Sequence, residues 1–209
     1  MITNIIFDLG GVLIPEKGAE ITAIIATRVG VSSQTLDDAL TPWKEKMTKG
    51  DITLREVYEK IQEILEQTYD PEEIVATHLK VYHDLSRIRE TKIIEMIERL
   101  KEKYTVVALT NTEPEIAEFN KTRRAEEDGK TLFEYFHRAF ISTEMHMKKP
   151  DAEIYEAMLH ELECTSEQVI FIDDKQMYVD GARKVGIRSI LYQNPKQLKE
   201  ELGAIGISV

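Results

Sequence analysis

Asp8 follows the apolar run Ile5-Ile6-Phe7, and Thr110 and Asn111 follow Thr105-Val106-Val107-Ala108-Leu109. Asp173 and Asp174 follow Val169-Ile170-Phe171-Ile172, while Lys148 and Lys149 precede Pro150, just ahead of a helical pattern. Short apolar runs ended by turn residues read as core strands of a parallel sheet. Ligands of such sheets sit beyond the carboxyl ends of the strands, so these polar side chains can converge on one edge. Three carboxylates and a lysine near one point make poor packing, because buried unpaired charge is costly. They make good sense around a hard cation and a phosphate. Magnesium takes oxygen ligands and leaves positions for water and substrate oxygens. A lysine neutralises phosphate, a threonine hydroxyl donates to it, and an aspartate can attack phosphorus. Gly10 and Gly11 would let backbone approach a ligand closely. Taken alone, the first stretch reads equally well as an ordinary strand and turn, with Asp8 as a turn or cap residue.

The elements that must position these residues fall into two kinds. From about Pro15 to Leu85 the pattern is helical throughout. Ile21, Ile24, Ile25 and Val29 lie at helical spacing before Gly30, and Ser32 or Ser33 can cap the next helix, which carries Leu36 and Leu40. Pro42 predicts a break or kink near Trp43. Asp51-Ile52-Thr53 opens a helix with Val57, Ile61, Ile64 and Leu65 on one face, and Asp70-Pro71-Glu72-Glu73 reads as another helix start. From Arg89 onward helix and strand alternate, with further strands expected at 138–141, 169–172 and 187–192. That alternation specifies an α/β fold built on a parallel sheet, with a helical layer inserted after the first strand. Gly203 to Val209 reads as a short extra strand or a loose tail.

With 209 residues, 42% hydrophobic and 31% charged, the chain suits a soluble globular protein with one sizeable core or a core plus an insertion. A formal charge of −11 argues against nucleic acid or an anionic membrane as partner. Cys164 is alone, so no intramolecular disulfide forms, and a reducing cytoplasm fits. The first residues lack the basic and long apolar regions of a signal peptide, and no stretch approaches a membrane span. The five histidines show no ligand spacing.

In these motifs the sequence resembles the haloacid dehalogenase-like hydrolase superfamily across essentially its whole length. Phe7-Asp8-Leu9-Gly10-Gly11-Val12-Leu13 is similar to its first motif and Leu109-Thr110-Asn111 to its second. Lys149-Pro150-Asp151 is similar to the third, and Phe171-Ile172-Asp173-Asp174 to the fourth. Four short motifs in order are far more specific than any one of them. The resemblance implies a doubly wound, Rossmann-like core at 1–14 and 86–209 and a small all-helical cap domain at 15–85. It implies that Asp8 is the nucleophile, forming an aspartyl-phosphate, and that Thr110, Asn111 and Lys149 hold the phosphoryl group. Magnesium would be bound by Asp8, the backbone carbonyl of Gly10 and Asp174, with Asp173 acting directly or through water. The substrate would be a small phosphorylated metabolite such as a sugar 1-phosphate.

One departure stands out. Phosphatases of this family usually carry a second aspartate two residues after the nucleophile, as general acid and base; here that position is Gly10. General acid–base help is typically worth about 10²–10⁴ in rate. Either the leaving group is intrinsically good, or another residue supplies the proton, or the domain binds without turnover. A haloacid dehalogenase is the enzymatic rival, using Asp8 on carbon, but it would leave the pair Asp173-Asp174 without a purpose. A signalling receiver domain shares the residue types but places its acidic pair early. Substrate choice would fall to the helical segment, where Trp43, Lys44, Lys46 and Arg55 lie near Gly50, although core packing and a solvated face account for them more simply.

Overall fold

The computed structural model describes residues 1–86, 89–126 and 128–209. The expected second core segment, 86–209, therefore includes positions 87, 88 and 127, which lie outside the described residues.

Five strands form one parallel sheet in the order β3-β2-β1-β4-β5: β1 (Asn4–Phe7), β2 (Thr105–Thr110), β3 (Arg138–Ile141), β4 (Val169–Asp173) and β5 (Arg188–Leu191). Side chains of a strand alternate between its two faces, and here both faces are dry. Ile5, Phe7, Val106, Ala108, Ile170 and Ile172 pack on one side and Ile6, Val107, Leu109 and Phe171 on the other. That is why the strands read as continuous apolar runs. The chain leaves β1 in one direction toward β2 and β3, and later returns to place β4 and β5 on its other side. β1 is therefore central, and the crevice beyond its carboxyl end is the switch point at which doubly wound sheets bind ligands.

Between β1 and β2 run α1 (Gly18–Val29), α2 (Ser33–Leu40), α3 (Lys44–Lys49), α4 (Leu54–Leu65), α5 (Pro71–Ser86) and α6 (Thr91–Lys101). The break expected at Pro42 is a 3₁₀ turn, Thr41–Trp43, between α2 and α3. Thr53 caps α4 through a reciprocal capping box with Glu56. The first five helices pack around an apolar cluster of their own, with Ile25, Leu36, Val57 and Ile61 fully buried. The segment after β2 reaches this cluster through Ile116 of α7 (Pro114–Thr122). Glu115 of the same helix accepts from the amides of Leu54 (3.0 Å) and Arg55 (3.2 Å), so a carboxylate rooted near the sheet satisfies the free amino end of α4. The helical layer is thereby held over the strand ends.

The remaining helices are α8 (Ser142–Met145), α9 (Ala152–Glu161), α10 (Gln176–Lys184) and α11 (Pro195–Ala204). The last of these corrects the expected tail. Asn194 caps it, and Leu198 and Leu202, one turn apart, are completely buried, so the helix runs through Gly203. Ile207 then tucks back onto the core. Among the described residues no helix is long and apolar enough to cross a membrane.

Within the helical layer, His78 is hydrogen-bonded to the Tyr58 hydroxyl at 3.0 Å. Burial pushes its imidazole down to about 4 from an ordinary 6.5. The unfolded chain thus takes up a proton at higher pH than the folded one. Stability contributed by the neutral ring is complete above the unfolded value and is lost as pH falls through about 4. The loss amounts to at most about 3 kcal/mol. Melting His78→Gln beside the parent chain at neutral and acidic pH checks this: the parent should lose more stability on acidification.

Candidate active site

Asp8 emerges from the carboxyl end of β1, its amide donating to the Ile172 carbonyl of β4 at 2.8 Å. Its carboxylate meets Lys149: Nζ lies 2.7 Å from Asp8 Oδ1 and 2.7 Å from Asp173 Oδ2. Lys149 is 1% exposed and Asp173 fully buried. The ammonium also stands over the rings of Tyr178 (4.8 Å) and Phe171 (5.4 Å). Burial alone would push Lys149 down, but Asp8 and Asp173 together outweigh it and hold the ammonium above the ordinary lysine range. Asp173 is pushed up to about 7, by burial first and by the neighbouring Asp8 charge, against the pull of Lys149. Asp174 is likewise raised, by burial and then by Asp8. The Lys149 ammonium thus serves Asp8 and Asp173, while Lys175 pulls on Asp174 and is itself paired with Glu16, so the cluster is short of positive charge.

Asn111 is tied to the main chain of Lys149. Its side-chain amide donates to the Lys149 carbonyl at 3.0 Å, and its oxygen accepts from the Lys149 amide at 3.0 Å. It clamps the main chain from which the lysine projects. Thr110, at the end of β2, is buried and lines the same crevice. Lys148 turns away to Asp151 at 3.6 Å.

Asp8, Asp173 and Asp174 offer carboxylate oxygens within 4.8 Å of one another. Asp174 Oδ1 is buried and has no hydrogen-bond partner. A buried oxygen of this kind is costly unless something satisfies it, and a hard divalent cation is the ligand that an all-oxygen, charge-deficient set suits. Gly11 makes the approach possible. It lies at φ +75°, and a Cβ there would stand 2.1 Å from Asp174 Oδ2, so no other residue fits without displacing that carboxylate.

Above the strand ends lies a cavity of about 840 Å³, lined from below by Gly10, Thr110, Asn111, Lys175 and Tyr178 and from the helical layer by Lys44, Thr48, Tyr58 and His78. Of the four cap residues singled out from sequence, Lys44 alone lines it, and it is paired with Asp37 at 2.7 Å. Arg55 pairs with Glu59 and Glu72 instead. The Trp43 ring packs against the helical cluster with Lys46 and Lys60 over it. Besides Asp37, the carboxyls of Glu16 and Glu113 line the cavity, and neither carried a sequence signal. Glu113 begins α7, where burial, then the nearby Glu115 and Glu16, push it up. Glu16 accepts from Lys175 Nζ at 3.2 Å. Their places depend on how the chain returns to the sheet edge, which spacing does not reveal.

Comparison with known proteins bears on this geometry. The chain is 22% identical over 207 residues to a D-ribitol-5-phosphate phosphatase of Bacteroides thetaiotaomicron, covering 98% of each. It is 26% identical over 184 residues to a sesquiterpene phosphatase of Aspergillus oryzae, covering 87% of this chain and 85% of that protein. Its fold superposes with a TM-score of 0.73 on a crystal structure of a haloacid dehalogenase family enzyme from B. thetaiotaomicron in complex with magnesium and inorganic phosphate. That pair is 26% identical, with 92% of this chain and 95% of the other covered. A family model for haloacid dehalogenase-like hydrolases matches residues 2–186. By its motifs, its sheet and this match, the chain belongs to the haloacid dehalogenase-like hydrolase family.

Proposed function

We propose that the chain is a magnesium-dependent phosphomonoester hydrolase acting on a small phosphorylated, sugar-like metabolite in a reducing cytoplasm. The observation that carries this reading is the cluster at the switch point, where Lys149 spans Asp8 and Asp173 beside the orphaned Asp174 oxygen. A metal-free attack on carbon gives that acidic pair nothing to do. The named relatives, both phosphatases, point the same way.

Asp8 is the nucleophile. Its carboxylate attacks phosphorus, and the resulting aspartyl-phosphate is later split by water. Lys149, fixed by Asn111, compensates charge on Asp8 in the resting site and on the phosphoryl oxygens once substrate enters. The Thr110 hydroxyl donates to a phosphoryl oxygen. Asp8, the Gly10 carbonyl, Asp174 and Asp173 would hold a magnesium ion, which when bound would supply further positive charge to the phosphoryl oxygens. Residues 15–85 form a cap domain over the core of 1–14 and 86–209, and the cavity beneath it takes the rest of the substrate and excludes water.

Release of inorganic phosphate from a panel of sugar phosphates, including 1-phosphates, and acyl phosphates, with magnesium or with chelator, tests the reading. Magnesium-dependent release supports it. Halide release from haloacids without metal, or magnesium binding with no turnover on any substrate, overturns it. Gly11→Ala should weaken magnesium binding about 10–100-fold and cost about 1–2 kcal/mol of stability. Calorimetric titration and a denaturant melt measure the two effects.

A further inference from the structure

After β1 the chain turns back on itself. The Gly11 amide donates to the Ile14 carbonyl at 2.7 Å and the Ile14 amide to the Leu9 carbonyl at 3.0 Å, and Gly10 and Ile14 form a backbone bridge. The turn delivers Glu16 to the very position at which the family pattern is broken. Among the described residues, a Cβ built on residue 10 would have one heavy atom within 4 Å beyond its chain neighbours, Glu16 Oε2 at 3.3 Å. The carboxylate is held there by Lys175 Nζ at 3.2 Å, and the Lys175 amide is fixed in turn on Asp173 Oδ1 at 2.8 Å. Gly10, Glu16 and Lys175 all line the cavity at the strand ends, together with Thr110. Position 10 is thus a glycine whose missing side chain is replaced, in space, by a carboxylate from six residues downstream.

We propose that Glu16 is a further catalytic residue, the acid and base at the leaving oxygen, standing where residue 10 offers none. The inference rests on the phosphatase reading above. In the first half-reaction the Asp8 oxygen bonds to phosphorus and the bond from phosphorus to the substrate oxygen breaks. Glu16, in its acid form, gives its proton to that oxygen, which departs as an alcohol. In the second half-reaction the Glu16 carboxylate takes a proton from water as the water oxygen bonds to phosphorus. The bond from phosphorus to Asp8 breaks, which restores both carboxyl groups and frees inorganic phosphate. Glu113, another carboxyl lining the cavity, precedes α7 and, unlike Glu16, is not among the atoms within 4 Å of a Cβ at residue 10.

The discriminating readout is leaving-group dependence. A proton donor matters for alkyl phosphates, whose alcohols leave poorly, and little for aryl phosphates, whose phenolates leave well. For the full chain with magnesium, Glu16→Gln should lower kcat on an alkyl phosphate by about 10²–10³ and on an aryl phosphate by less than about tenfold. Because Glu16 is half-exposed and makes a single ion pair, the variant should melt with the parent. The Cβ space at residue 10 then allows a rescue: Gly10→Asp combined with Glu16→Ala should regain alkyl phosphate turnover over Glu16→Ala alone. Equal losses on both substrates, or an alkyl-selective loss in Glu113→Gln and not in Glu16→Gln, overturn the assignment. If the parent releases no phosphate from either substrate, the phosphatase reading falls and this inference with it; parental turnover with a uniform Glu16→Gln loss overturns the inference alone.

Discussion

Asp8→Asn should leave a folded protein whose phosphate release is lower by at least about 10⁴. The substitution is nearly isosteric and keeps the hydrogen bond that the residue-8 N–H donates to the Ile172 carbonyl, which fixes the residue at the end of β1. What it removes is the charged oxygen 2.7 Å from Lys149 Nζ. A carboxamide cannot attack phosphorus and leave again as a carboxylate, so the covalent route closes entirely. The fold should not suffer, because Asp8 is one of three carboxylates crowded together and Lys149 keeps its pair with Asp173. Removing the Asp8 charge relieves repulsion on Asp173 and Asp174, each of which Asp8 pushes up. Without divalent cation, Asp8→Asn should therefore melt no lower than the parent. A steady-state assay and a thermal melt with chelator check the two halves. A variant that loses activity only because it unfolds would contradict the account.

Lys149→Met should have the opposite signature, damaging both activity and stability. The ammonium is buried and is the group that compensates Asp8 and Asp173. Breaking a buried ion pair by removing one partner typically costs about 3–5 kcal/mol. Proton uptake by the abandoned Asp173 carboxyl, which burial and Asp8 already push up, reduces that cost at lower pH, so the deficit should grow from acid toward neutral pH. Divalent cation should restore part of the stability, since it would bring the charge that the lysine supplied. Turnover should fall by about 10²–10³ or more, the usual effect of losing one charge-stabilising donor in a closed site. Lys149→Arg should rescue neither property, because the planar guanidinium is larger than an ammonium held between two carboxylates and the rings of Tyr178 and Phe171. Denaturant melts with chelator and with magnesium measure the first claim, and kcat the second. No loss of stability in Lys149→Met with chelator would show that the carboxylates do not depend on this charge.

The parts of this site that were legible in the sequence are those fixed by strand ends. Ile5-Ile6-Phe7 and Val169–Ile172 are buried on both faces, so their apolar runs mark core strands and place Asp8 and Asp173-Asp174 at carboxyl ends. Helices with clear caps were equally legible, as at Thr53 and Pro71. The helix Pro195–Ala204 was missed because Gly203 reads as a breaker, whereas Leu198 and Leu202, buried against the sheet, carry the helix past it. The role of Asn111 as a clamp on the Lys149 main chain, and the meeting of Glu16 with Gly10, arise from approaches between distant segments. No local pattern encodes such approaches. Lys175 directly follows the acidic pair, yet its value lies in joining Glu16 to Asp173, which is a property of the folded turn.

The central claim is that Asp8 carries the phosphoryl group. Rapid acid quenching during turnover, followed by borohydride reduction and peptide mass mapping of the segment containing Ile5 to Leu13, tests it most directly. Reduction of an acyl phosphate at Asp8 would convert that residue to homoserine, and the account predicts this change there and at no other carboxylate, only in the presence of substrate. Sustained phosphate release with an unmodified Asp8, or with the modification at Glu16, Asp173 or Asp174 instead, would contradict it.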